Sequence, residues 1–438
     1  MNLLRRKFYW LLLPVFVLAA FAFHVQTSPE VAAQQLDSDS LFVRQNYQKY
    51  EFNIPMRDGV KLYTAVYVPK DDSRKYPMLM KRTPYSSRPY GADAYPRSLG
   101  PSSFLMRDQY IFVYQDVRGR WMSEGQYDNM RPHVPNKKSK QDIDESSDTY
   151  DTIDFLLKNV KNHNGKVGQW GISYPGFYTI AGAVEAHPAL KASSPQAPIS
   201  DFFFDDFHHH GAYLQSYWLA TSVFGYQKDE PTTESWYKMV NPGTPDAYQF
   251  FMDMGPLKNA SKYYGEDNFF WQQLTEHPNY DEFWQKRSIL PHLHDIDHAV
   301  LTVGGWFDAE DLYGPLNIYK TIERENPDTW NSIVMGPWSH GDWSRERGAQ
   351  MVSHVYFGDS ISTFYQREIE RPFFNHFLKD GPKPGLPDAF MFDTGLKEWK
   401  KFETWPPKDA PQVTMYFSED GELVPEKPAN GAEYFFDY

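Results

Sequence analysis

The stretch that decides the fold is Gly168-Gln169-Trp170-Gly171-Ile172-Ser173-Tyr174-Pro175-Gly176. Residues 166–170 read as a strand, and the small apolar run at 177–184 reads as a helix. Between them lies a tight Gly-x-Ser-x-x-Gly turn. A serine on a sharp strand-to-helix turn is the context of a nucleophile elbow, where flanking glycines relieve the crowding that a β-carbon would cause. The last glycine stands one place later than in the usual Gly-x-Ser-x-Gly, with Pro175 in its stead. Such patterns also arise by chance, so the rest of the chain has to supply the partners of Ser173.

Upstream, residues 50–69 alternate around Arg57-Asp58-Gly59, a hairpin signal. Runs 77–82 and 110–115 read as buried strands that feed the loops Thr83-Pro84-Tyr85-Ser86-Ser87 and Asp116-Val117-Arg118-Gly119-Arg120. Residues 148–162 have helical spacing, and 192–197 is a further strand candidate. Strands alternating with helices imply a mostly parallel sheet covered on both faces. The pattern breaks at 201–290, which is aromatic and helical in character, as an inserted cap would be. It returns with strands at 299–304 and 332–335 and a helix at 362–379. Beyond 386 the text turns strand-like, as the opening of an all-β domain.

An elbow serine needs an acid and then a histidine downstream, each in a loop after a strand. Gly304-Gly305-Trp306-Phe307-Asp308 and Gly336-Pro337-Trp338-Ser339-His340 meet that order. Ser173, Asp308 and His340 are therefore the expected nucleophile, orienting acid and general base. The Tyr174 N–H, next to the nucleophile, is one expected oxyanion donor. Tyr85 is the candidate for the second through its phenolic hydroxyl, although the residues alone fit a packed surface tyrosine equally well.

These motifs resemble the cocaine-esterase, X-prolyl dipeptidyl peptidase and α-amino acid ester hydrolase superfamily. The resemblance rests on Arg82-Thr83-Pro84-Tyr85, Asp116-x-Arg118-Gly119 with Ser123-x-Gly125, Gly171-x-Ser173-Tyr174-x-Gly176, Gly304-Gly305-Trp306-x-Asp308 and Gly336-Pro337-Trp338-x-His340, in one order over residues 45–420. It implies an α/β-hydrolase core with a helical cap and a C-terminal jelly roll, and an oxyanion role for the Tyr85 hydroxyl. The expected division is a signal peptide at 1–33, core at 34–200, cap at 201–290, core again at 291–384, and the start of an incomplete jelly roll at 385–438.

Asp308-x-Glu310-Asp311 resembles α-amino acid ester hydrolases in particular, in which two such acids join one more aspartate to hold the substrate's α-ammonium. The third comes from Asp205-Asp206, with Asp206 favoured. Clustered carboxylates are costly unless a cation neutralises them. The competing use of Glu310 and Asp311 is to cap a following helix. The implied substrates are small α-amino esters, amides or short peptides, and a glutaryl chain would be repelled. A dipeptidyl peptidase, which also holds an N-terminal ammonium, is the near alternative, as is a general carboxylesterase or acylase. An inactive remnant or binding module is the alternative of another class. His208-His209-His210, read as helical, points in three directions and suits cap packing better than a metal. Asp116 and Arg118 are expected to pair and hold their loop.

The composition sets the surroundings. With a net charge of −13, nucleic acid or an anionic membrane surface is not an expected partner. The 30 Tyr, 32 Phe and 13 Trp suit large cores or an aromatic cleft. There is no cysteine, hence no disulfide, thiolate site or cysteine nucleophile. No metal or cofactor is expected, and a homo-oligomer is compatible. Arg5-Arg6-Lys7, the apolar run at 8–23 and Val31-Ala32-Ala33 read as a cleaved export signal, with an N-terminal anchor as the alternative. The expected location is the periplasm or outside the cell. Residues 34–47 read as a linker.

Overall fold

The computed structural model describes residues 29–346, 348–418 and 421–429. Most of the expected export signal lies outside these residues. Ten strands form the central sheet: β1 (Tyr47–Pro55), β2 (Lys61–Pro69), β3 (Tyr76–Thr83), β4 (Ile111–Asp116), β5 (His163–Ile172), β6 (Leu190–Gln196), β7 (Ala299–Gly305), β8 (Asn331–Gly336), β9 (Ala389–Asp393) and β10 (Glu398–Phe402). Their spatial order is β1-β2-β4-β3-β5-β6-β7-β8-β9-β10. Neighbours from β4 through β9 run parallel, while β1, β2 and β10 pair antiparallel at the two edges. The central strands are apolar on both faces because both are covered. β7 and β8 are buried at every position.

Strand alternation divides the core in two. Met78, Met80, Ile111 and Val113 face Ile153 and Leu156 of helix α2 (Glu145–Asn159), which follows α1 (Pro29–Asn46) in the chain. Leu79, Phe112, Leu301 and Val303 share the opposite face with Phe373, Phe374 and Leu378 of a C-terminal helix. The elbow helix α3 (Tyr174–Ala181) and helix α4 (Tyr313–Glu325) contribute Phe177, Ile180, Ile318 and Ile322 to a third cluster shared with residues 201–290. That segment supplies short helices at Trp218–Phe224, Ala247–Met254, Phe269–Glu276 and Glu282–Gln285, built on Phe207, Phe250, Phe270 and Trp284. The C-terminal helix is α5 (Arg371–Lys379), preceded by a π-helical turn, Gln366–Glu370.

Three expectations need correction. Residues 34–46 are not a linker but the body of α1, because Val43 is buried in the main core and Phe42 packs edge-on against Tyr47. β9 and β10 do not open a separate β-domain. Ala389–Asp393 lies parallel to β8 and extends the central sheet, with Phe390 and Phe392 in its core. His208–His209 is a two-residue strand paired with Ala212–Tyr213, not a helix. Strand alternation buries His208 against Phe203, ring centroids 4.0 Å apart, and leaves His209 exposed. Among the described residues, no helix is long and apolar enough to cross a membrane.

Candidate active site

Ser173 connects β5 to α3 with φ = 68°, in the region that costs a residue with a β-carbon. Its N–H donates to the Gln196 carbonyl at the end of β6 (3.0 Å). A β-carbon on Gly171 would collide with the Pro175 carbonyl, and one on Gly176 would lie 2.6 Å from the Gln196 carbonyl oxygen. The close approach to β6 thus falls at 176, which explains the displaced glycine. Pro175 occupies the first turn of α3, where its missing N–H costs nothing.

The loops after β7 and β8 are laced together. Trp306 N–H donates to Gly336 O (2.9 Å), and Phe307 N–H to Trp338 O (3.1 Å). This lacing brings Asp308 Oδ2 to 2.8 Å from His340 Nδ1. The other oxygen of Asp308 accepts the N–H groups of Glu310 (2.9 Å) and Asp311 (3.0 Å). One carboxylate therefore fixes both the imidazole and the acidic turn. With Nδ1–H on Asp308, His340 Nε2 is the basic nitrogen. The histidine loop lies over the elbow strand: a β-carbon on Gly341 would sit 3.6 Å from Ile172 Cγ2. Burial opposes the imidazolium, but the Asp308 bond and the charges of Asp308, Glu310 and Asp206 raise the His340 pKa above its ordinary value.

Tyr85 and Tyr174 flank the serine. Burial of its hydroxyl end raises the Tyr85 pKa, opposed by a hydrogen bond with Ser173, and the phenol stays protonated. The rest of Tyr85 is open, at 45% exposure. Its loop is gripped from behind: Pro84 O accepts from Arg120 Nε (3.1 Å) and Trp121 Nε1 (2.9 Å). Ser87 N–H and the Tyr90 hydroxyl donate to Asp116 (2.6 and 2.9 Å). Asp116 therefore does not pair with Arg118, contrary to the sequence expectation. Arg118 binds Asp58 and Asp148, each at 2.7 Å. Tyr174 turns its ring inward: its hydroxyl donates to Asn129 Oδ1 (3.2 Å) and accepts from Met130 N–H (2.7 Å). Its own N–H opens α3, where backbone donors have no intrahelical acceptor.

Beside His340 lies a group of carboxylates. Glu310 Oε2 is 3.9 Å from His340 Nε2, and Asp311 Oδ2 is 3.9 Å from Nδ1. Asp311 is fully buried, and neither of its oxygens has a hydrogen-bond partner among the described residues. Its pKa is pushed well up by burial and then by the charges of Asp206, Asp205, Asp308 and Glu310. Asp206, on the π-helical turn Phe203–Phe207, is raised for the same reasons.

The backbone donors distinguish Asp205 from Asp206. Asp205 accepts from Ser200 N–H, Ser200 Oγ, Asp201 N–H and Gly314 N–H (2.6–3.1 Å), so it is committed to the scaffold. Asp206 lies where the charges of Asp205, Glu310 and His340 and the Tyr217 hydroxyl act on its carboxyl. The Gly314 bond also shows that Asp205 serves the N-terminus of α4. Glu310 and Asp311 make no side-chain cap there. Tyr217 was not singled out by the sequence: it is one tyrosine among 30, outside any motif.

The sequence profile of the X-Pro dipeptidyl-peptidase (S15) family matches residues 58–342. The cocaine esterase of Rhodococcus sp. (strain MB1 Bresler) is 25% identical over 381 residues, covering 84% of this chain and 62% of that protein. An α-amino acid ester hydrolase structure is similar at 32% identity and a TM-score of 0.78, covering 89% of this chain and 64% of its own. An aminopeptidase from the marine sediment archaeon Thaumarchaeota archaeon is similar at 34% identity and a TM-score of 0.78, covering 88% and 63%. The chain thus spans somewhat under two thirds of the length of these relatives.

Proposed function

Because the chain belongs to the X-Pro dipeptidyl-peptidase (S15) family, we propose that it is a serine hydrolase that cleaves esters or amides of α-amino acids through an acyl-enzyme on Ser173. His340 Nε2 takes the Ser173 proton as Oγ bonds to the acyl carbon, and Asp308 orients the imidazole and stabilises its cation. The Tyr174 N–H and the Tyr85 hydroxyl donate to the oxyanion that forms. Collapse expels the alcohol or amine, which leaves with the proton from Nε2. Water then attacks the acyl-enzyme by the same path in reverse.

The observation that carries the substrate class is Asp311, a buried carboxylate with no hydrogen-bond partner among the described residues, grouped with Asp206 and Glu310 beside the base. An α-ammonium supplies the missing charge and the missing donors, and it fixes the acyl group against Ser173. The α-amino acid ester hydrolase and aminopeptidase relatives support this class. The family description supports a second reading, release of dipeptides from a peptide N-terminus, which would use the same ammonium site.

The test is labelling with a fluorophosphonate and turnover of paired α-amino and desamino esters. Wild type should carry one adduct, on Ser173, and prefer the α-amino ester. Ser173→Ala should stay folded, take no label and lose turnover by about 10⁶-fold. A folded Ser173→Ala that keeps turnover refutes the mechanism, whereas a folded wild type that takes no label favours the reading of an inactive remnant. Export, proposed from Arg5-Arg6-Lys7 and the apolar run after it, is tested by N-terminal sequencing of secreted material.

A further inference from the structure

Gln196 touches both halves of the proposed machinery. Its backbone carbonyl accepts the Ser173 N–H (3.0 Å), which holds the elbow. Its side-chain oxygen accepts Trp343 Nε1–H (2.8 Å), and Trp343 lies three residues after His340 on the same loop. The remaining amide donor goes to Glu370 Oε1 (3.0 Å) and to Ser194 Oγ (3.2 Å). From the same π-helical turn as Glu370, Gln366 Nε2 donates to the Trp343 carbonyl (2.8 Å). All four residues, Gln196, Trp343, Gln366 and Glu370, are at most 2% exposed. Single π-turns inside helices are frequent at functional sites. This one presents two side chains, four residues apart, to the histidine loop and its partner.

Building on the triad reading above, we infer that Glu370 and Gln196 are positioning residues that set the registry of the His340 loop against Ser173. An indole nitrogen only donates, so the Gln196 oxygen must face Trp343. The amide nitrogen then points the other way and needs an acceptor in a site closed to water. Glu370 Oε1 supplies the shorter of the nitrogen's two contacts, Ser194 Oγ being the other, and so reinforces the way the amide lies. With the acceptor gone, a flipped amide would set a donor against a donor at Trp343, and the loop that carries His340 would lose its tie to β6. Glu370 Oε2 makes no well-formed hydrogen bond among the described residues, and the Ser102 hydroxyl acts on the carboxyl group as a whole. Replacing that oxygen by an amide nitrogen removes no bond, so the acceptor matters and the charge does not. In keeping with this, burial pushes the Glu370 pKa up to about 7.

The experiment compares wild type with Glu370→Gln, Glu370→Leu and Trp343→Phe for thermal midpoint, fluorophosphonate labelling rate, and kcat and KM on an α-amino ester. Glu370→Gln should stay within about twofold of wild type, because the acceptor is conserved. Trp343→Phe keeps an aromatic side chain but removes the donor together with the pyrrole half of the indole. It and Glu370→Leu should label at least about tenfold more slowly, with kcat reduced in parallel and KM within about twofold. If Glu370→Leu does not fold, Trp343→Phe against Glu370→Gln decides. A folded Trp343→Phe that labels at the wild-type rate overturns the inference, as does a Glu370→Gln that falls as far as Glu370→Leu. Failure of wild type to label at Ser173 overturns the triad reading itself, and this inference with it.

Discussion

Replacing Asp311 by Asn should make the protein more stable at neutral pH and a worse enzyme for α-amino substrates. The carboxylate is fully buried, both oxygens lack partners among the described residues, and four other carboxylates press on it. An uncompensated buried charge costs several kcal/mol, whereas a neutral buried amide without good partners costs about 1–3 kcal/mol. The difference favours the variant by about 2 kcal/mol where Asp311 would be ionised. The sign follows from linkage. A raised folded-state pKa means that the folded chain holds its proton at a pH where the unfolded chain, with a pKa of about 3.9, has released it. Wild type therefore loses stability relative to the variant as pH rises above about 4, by up to about 1.4 kcal/mol per pH unit, until the folded pKa is passed. Urea midpoints measured between pH 4.5 and 8.5 should draw apart towards alkaline pH. Losing one charge-assisted contact to the ammonium, about 1.5–3 kcal/mol, should lower kcat/KM for the α-amino ester about 10- to 150-fold and spare its desamino analogue. A variant that is less stable than wild type at pH 8, or that loses both substrates equally, refutes the idea of an unpaired carboxylate awaiting a cation.

Tyr85→Phe keeps the ring on Phe224 and removes the hydroxyl. It should lower kcat by about 10²–10³-fold with KM little changed, which steady-state kinetics would show. Glu310→Gln removes one of the charges that raise the His340 pKa. Because the base must be neutral, activity falls as pH drops through that pKa, and the acid limb of the labelling rate should move to lower pH in this variant. An unmoved limb would mean that Glu310 does not act on His340.

The sheet was legible because its signal is local. Runs such as 299–304 and 332–335 are apolar at successive positions, since both faces of a parallel sheet are covered, and the candidate residues follow them directly in the loops. What failed depended on partners distant in sequence. Residues 34–46 look polar enough for a linker, and only the core that receives Phe42 and Val43 makes them a helix. Residues 389–393 read as a strand, but nothing in them names the edge they join. Asp116 and Arg118 look like a pair at a spacing of two, yet Asp116 is taken by the Tyr85 loop and Arg118 by Asp58 and Asp148. Adjacent aspartates 205 and 206 are equivalent on paper, and the N–H groups of Ser200, Asp201 and Gly314 separate them.

The same carboxylates that suit an ammonium also act on the base, which couples substrate choice to pH. In the free enzyme Glu310 and Asp206 help to raise the His340 pKa, and more acid keeps the base protonated. A bound α-ammonium would neutralise them and lower that pKa, so it would release the base as it binds. The profile of kcat/KM reports the free enzyme, and that of kcat reports the complex. With an α-amino ester, the acid limb of kcat should therefore lie below that of kcat/KM. With a desamino ester, which brings no cation, the two limbs should coincide. An acidic cluster beside a histidine would be a poor arrangement for a general esterase, because it holds the base protonated at little gain. It becomes a favourable one when the substrate itself carries the charge that relieves it.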